Sequence, residues 1–229
     1  MSALEAVAGW LLEPAEPRAS APEPAALQQR PVVAVTGLHR ACGVTTVARA
    51  LGAELALRDP ASACAVTSAS GGGGLPLGLP AAARLARALG PVGAGRTRTC
   101  GRLCLVRGAD PLELRDAVRF LAPLVLDVED PAEAAAAAAL ADTAVLVSRP
   151  DAVPALARVV AETLAAVGPS PVIVLNRGGR ASEEWSAHTH DVALPDARAA
   201  AHLAEAGRGA RGELGRAVGL LADVLGRGG

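Results

Sequence analysis

At 229 residues the chain can hold one α/β domain of ordinary size plus a short extension, and 51% apolar content is ample for a buried core. Only 1% of residues are aromatic, so the core must be aliphatic, with Trp10, Phe120 and Trp185 the whole aromatic set. A net charge of −1 argues against a dominant nucleic-acid face, and no run of about 18 apolar residues offers a membrane span.

Residues 3–12, ALEAVAGWLL, read as a short amphipathic helix, and 13–30, EPAEPRASAPEPAALQQR, as an extended linker rich in Pro and Ala. Residues 1–30 are thus set apart from a domain over 31–229. That domain opens with a β-branched strand, Val32–Thr36, closed by Gly37. A helix over Val44–Leu57 follows, with Val47, Leu51 and Leu55 on one face. Ala63–Thr67 is a second strand, Gly71–Gly74 a break, and Pro80–Leu89 a helix with Pro in its first turn.

Further on, Leu103–Val106 reads as a short strand and Pro111–Leu121 as a helix. Leu124–Val128 is a strongly apolar strand carrying Asp127 and leading into Glu129. Then come a helix over Pro131–Leu140 and a strand over Thr143–Ser148. The next helix, Asp151–Val167, is expected to be capped by Asp151 and stopped by Gly168. Val172–Leu175 is a strand ending in Asn176, and Val192–Leu194 a last short strand before helices near Asp196–Ala206 and Glu213–Leu225. Apolar strands alternating with helices predict a doubly wound, mostly parallel sheet with helices on both faces. Ligands of such sheets sit beyond the carboxyl ends of the strands.

The segment 32–57, VVAVTGLHRACGVTTVARALGAELAL, runs strand, Gly-containing loop, Thr pair, helix. That is the layout of a phosphate cradle, in which backbone N–H groups and a helix N-terminus face an anion. Aligned on Thr45 and Thr46, the loop resembles the deviant P-loop KGGVGKTT of the MinD/ParA-like ATPases. Gly43 and both threonines match; Val44 stands at the P-loop lysine and His39 at the additional signature lysine. The P-loop lysine stabilises charge on the β- and γ-phosphates, and loss of such a contact costs on the order of 10²–10³ in rate. All 22 basic residues of the chain are arginines, so no ε-ammonium is available anywhere. Arg40 is the candidate substitute, since a guanidinium can clamp phosphate, although from a different direction. Arg49, inside the helix, reads as a solvated side chain.

The resemblance extends to the other strand ends. Leu124-Val125-Leu126-Asp127 is similar to a Walker B strand, which implies that Thr45 and Asp127 would hold Mg²⁺ beside ATP. Asp130 reads as a helix cap. The family's acid after the second strand is replaced by Ser68 in Ala65-Val66-Thr67-Ser68. Val172–Arg177 is similar to the strand whose Asn reads adenine, and Ala193-Leu194-Pro195-Asp196 to the loop beside the base. The resemblance therefore implies nucleotide contacts from Gly37, Arg40, Ala41, Cys42, Gly43, Val44, Thr45, Thr46, Asn176, Arg177 and Pro195. Gly37 and Gly43 lie one residue further apart than in G-x-x-x-x-G-K.

Other chemistry is sparse. Cys100 and Cys104 lack zinc-knuckle spacing, and the four cysteines read as free thiols in a reducing, cytoplasmic compartment. His188 and His190 read as solvated loop residues. The last helix, with Leu214, Val218, Leu221 and Leu225 on one face, is expected to pack on the sheet rather than bind a membrane surface. With Val44 and Ser68 at catalytic positions, the favoured function is a weakly binding or non-hydrolysing regulator, scaffold or positioning factor acting through a homodimer or protein partner. The alternatives are an ATPase using Arg40, and a biosynthetic enzyme of the dethiobiotin-synthetase or cobyric-acid-synthase type.

Overall fold

In the computed structural model, residues 28–59, 65–68, 75–76, 85, 87–90, 97–178, 183–186 and 190–227 are described. The helix expected over 3–12, most of the linker, and the Gly71–Gly74 break lie outside them. Nine strands form one sheet among the described residues, in the order β3-β4-β5-β2-β6-β1-β7-β8-β9. They are β1 (Val32–Gly37), β2 (Ala65–Ser68), β3 (Leu75–Pro76), β4 (Thr97–Cys100), β5 (Leu103–Val106), β6 (Leu124–Val128), β7 (Thr143–Ser148), β8 (Val172–Asn176) and β9 (Val192–Leu194). The seven from β5 to β9 are parallel throughout, whereas β3 and β4 run antiparallel at one edge. This is the predicted doubly wound sheet, with an antiparallel margin that sequence periodicity did not show.

The helices are α1 (Val44–Arg58), α2 (Pro111–Val118), α3 (Ala134–Leu140), α4 (Pro154–Ala165), α5 (Glu183–Ser186), α6 (Arg198–Glu205) and α7 (Gly212–Arg227); residues 87–90 are also helical. Strand alternation assigns the two faces. Val33 and Val35 join Val125, Val145, Val147 and Val174 beneath α1 and α7, against Val47, Leu51, Leu214, Val218 and Leu221. Val32, Ala34, Leu124 and Leu126 face the other way, against Leu85, Leu89, Leu114 and Val118. A third cluster seats Trp185 on Leu146, Leu164 and Leu175.

Several boundaries differ from expectation for local reasons. The helix expected from Asp151 begins at Pro154, with Val153 at the N-cap and no side-chain cap. Proline at the first helical position sets that start, and Asp151 pairs instead with Arg149 at 2.9 Å. Gly168 does follow the helix end, its N–H reaching Leu164 O at 3.0 Å. Asp130 caps as expected, accepting from Ala132 N, but the first three residues after it form a 3₁₀ turn before α3. The helix from Pro111 ends at Val118, three residues early.

Candidate functional site

Register brings the informative strand ends together. Val35 lies beside Asp127, Thr36 beside Val128, Gly37 beside Val147, and Asn176 beside Leu194. Asp127 shares its side of β6 with Val125, which belongs to the core under α1, so its carboxylate faces the first turn of that helix. There the Thr45 hydroxyl lies 2.8 Å from Glu129 Oε1 and 3.3 Å from Asp127 Oδ1. A hydroxyl has one hydrogen to donate, and the shorter contact takes it. Two carboxylates thus converge on one oxygen.

That all-oxygen set suits a hard divalent cation. Among the described residues no group of three or more His, Cys, Asp or Glu side chains could hold a metal. The residues therefore fit a Mg²⁺ that takes its other ligands from water and phosphate, as Mg²⁺ commonly does. Glu129 is the acid that sequence reading left without a role. It lies two residues after Asp127, on the same side of an extended chain, and that spacing is the signal that could have found it.

Between β1 and α1 the chain makes a loop with two left-handed residues, Ala41 (φ 61°) and Gly43 (φ 95°). Gly43 is favoured on two counts: its φ, and the Asn176 amide nitrogen, against which a Cβ at this position would collide. The Asn176 side chain is buried and donates to Cys42 O at 2.8 Å. Gly43 also serves as the N-cap of α1, with no side chain bonding to the exposed N–H groups.

Two cavities flank this turn. One, of about 580 Å³, is lined by His39, Arg40, Ala41, Gly43, Val44, Thr45, Thr46, Glu129 and Asp130. The other, of about 290 Å³, takes Gly43, Thr46, Asn176, Arg177, Pro195, Asp196, Arg198 and His202 together with an apolar floor that includes Val47, Leu194 and Leu214. Their common lining is Gly43 and Thr46. Of the sequence-derived residues, Arg40, Ala41, Val44 and Thr45 thus fall in the first, Asn176, Arg177 and Pro195 in the second, and Gly43 and Thr46 in both. Gly37 and Cys42 line neither. Cys42 is a buried free thiol, and burial pushes its pKa above the ordinary value. Asp127 and Ser68 line an adjoining groove with Arg107 and Glu133.

Val44 is 6% exposed and joins the core with Val47 and Leu51 rather than standing free in the cavity. Arg40 is exposed at the cavity wall. Arg49, expected in solvent, is buried at 6% exposure, because α1 is packed on nearly all sides. Ser68 does not face solvent alone; its Oγ accepts the Asp127 backbone N–H at 2.9 Å and so braces the strand that carries the acid. His190, also expected in solvent, is partly covered, with its ring 6.5 Å from that of Trp185 and edge-on to it. His188 lies outside the described residues.

A doubly wound parallel sheet with a glycine turn leading from its central strand into a helix is the P-loop NTPase-type α/β architecture. Solved structures bear this out. The chain matches the cell division ATPase MinD of Pyrococcus furiosus with a TM-score of 0.58 at 18% identity, covering 87% of this chain and 99% of that one. It matches the MinD cell division protein of Aquifex aeolicus with a TM-score of 0.57 at 16% identity, over 86% and 97% of the two chains. A ParA family ATPase from Chlorobium tepidum gives 0.53 at 13% identity, over 86% and 98%. No protein-family model and no curated protein sequence matches the chain. The fold is MinD/ParA-like.

Proposed function

We propose that the chain is a nucleotide-binding regulator, scaffold or positioning factor of MinD/ParA-like fold, binding ATP with Mg²⁺ weakly and hydrolysing it slowly or not at all. The carrying observation is that Val44, at the lysine position, is folded into the core while Thr45, Asp127 and Glu129 still converge. In this reading the backbone N–H groups at the α1 N-terminus receive phosphate, and Thr45, Asp127 and Glu129 hold Mg²⁺, which neutralises phosphate charge. Asn176, Arg177 and Pro195 border the base, over the apolar floor. Output would pass through a homodimer or a protein partner; one similar solved structure is the MinC:MinD cell division protein complex of Aquifex aeolicus.

The balance of charge supports weak phosphate binding. Arg40 lines the larger cavity together with Glu129 and Asp130, one cation against two carboxylates, so the formal charge of its lining opposes an incoming phosphate. Isothermal titration with Mg²⁺ and ATP is expected to give a dissociation constant above about 10 μM, or roughly −7 kcal/mol. Turnover is expected at background. No binding at any accessible concentration would sink the reading.

One observation favours a second reading: Arg40 lines the cradle and is exposed. An ATPase with Arg40 in the lysine's office would show Mg²⁺-dependent turnover that Arg40→Ala abolishes. That result would displace the first reading.

A further inference from the structure

We infer that Asn176 is a positioning residue that couples the two halves of the site, so that filling the base-end cavity stiffens the phosphate loop. This rests on the nucleotide reading above. The two cavities meet at Gly43 and Thr46, and Asn176 stands at that junction. Its amide donates to Cys42 O at 2.8 Å and lies against the Gly43 backbone so closely that no Cβ would fit. One end of β8 thereby clamps the loop at its left-handed turn.

Within the loop, backbone N–H groups of Leu38, His39 and Val44 gather on the buried Cys42 sulfur, and Asn176 holds the carbonyl of that same residue from outside the loop. Gly43 caps α1 without a side chain. Ala41 holds a left-handed φ of 61°, a conformation costing a non-glycine residue about 1–2 kcal/mol. The His39 ring lies 2.9 Å from its neighbour's carbonyl, Arg40 O. Without the Asn176 clamp the left-handed turn at Ala41 and Gly43 keeps one restraint fewer, and the donors at the head of α1 are less firmly aimed.

The Asn176 side chain has chemistry to spare for a ligand. One N–H goes to Cys42 O; a second N–H and the carbonyl oxygen remain, and Asn176 lines the base-end cavity. A base bonded to those atoms fixes the amide, and the fixed amide holds the Cys42 carbonyl. Order at one subsite thus lowers the cost of order at the other, which is positive coupling without a change of fold. Such couplings typically amount to about 5–150-fold.

The test uses adenosine, which carries no phosphate, and amide hydrogen exchange read over residues 38–41. His39, Arg40 and Ala41 line the cradle alone, so adenosine cannot protect them by contact. Saturating adenosine is expected to slow exchange there about five-fold or more in the wild type. In Asn176→Asp, which keeps the side-chain shape but loses the donor, the slowing should vanish. Gly43→Ala breaks the same contact from the loop side and should do likewise, each variant first being checked for a folded far-ultraviolet spectrum. Adenosine that binds yet leaves residues 38–41 unchanged in the wild type overturns the proposal, as does slowing that persists in either folded variant. Absence of adenosine binding to the wild type overturns this inference, since the base end then has no ligand to couple, whereas the nucleotide reading stands or falls on the Mg²⁺–ATP titration.

Discussion

At the scale of single residues, the deciding fact is where Val44 goes. A lysine at this position in a working loop projects its ammonium into the cradle; Val44 instead turns back among Val47, Leu51 and the strand valines. Val44→Lys either buries an ammonium, at a cost of several kcal/mol, or swings the side chain out of the core into the larger cavity that Val44 also lines, giving up its packing. We expect it to lower stability by about 1–3 kcal/mol, as over-packing does, and to leave ATP turnover at background. Chemical denaturation beside a phosphate-release assay checks both halves, and a stable variant with restored turnover would contradict the packing argument. Ser68 teaches a similar lesson. Standing where the resemblance implies an acid, it accepts the Asp127 backbone N–H and so braces the strand that carries that carboxylate.

Among elements, α1 and α7 show which contacts matter. Arg58 at the end of α1 bonds Glu54 within its own helix and reaches Asp223 and the Gly219 carbonyl of α7, joining the two helices through two links. Its side chain is 39% exposed and Asp223 is 50% exposed, so solvent screens most of that attraction, and exposed pairs give about 0–1 kcal/mol. Leu221, one turn away, is fully buried beneath the same helix, and truncating such a leucine costs about 2–5 kcal/mol. Urea midpoints for Arg58→Ala and Leu221→Ala should therefore differ widely, with the leucine variant far lower. Equal losses would show that the ion-pair network, not the aliphatic core, fastens α7. The helix expected from the sequence to pack on the sheet does so through Leu214, Val218, Leu221 and Leu225. Its residues 3.6 positions apart made that face legible. Helix starts were less so: Asp151 looked like a cap, but Pro154 and its fixed φ placed the boundary three residues later.

At the scale of the molecule, the seven parallel strands were legible because each is a short apolar run between turns, and the strand ends follow from it. The antiparallel pair β3 and β4 was not, since Leu75–Pro76 and Thr97–Cys100 carry no alternation and take their form from the β5 edge. The site was half legible: motif positions gave Thr45, Asp127 and Asn176, whereas Glu129 and the burial of Val44 and Arg49 depend on three-dimensional packing. One property of the whole chain makes a clean pH experiment. It has no Tyr and no Lys, so above about pH 9 its titrating side chains are thiols alone. Burial pushes the Cys42 thiol above its ordinary 9.0. The folded state then keeps a proton that the unfolded chain releases, so stability is full below the ordinary thiol range and falls as pH rises through it. Urea midpoints at pH 8 and pH 10 should fall less for Cys42→Ala than for the wild type; parallel losses would assign the effect elsewhere. The packing of Val44 also ties the turn to the interior: the residue clusters with Val47 and Leu51 and at the same time lines the larger cavity, so whatever occupies that space rests directly on a side chain of the hydrophobic core.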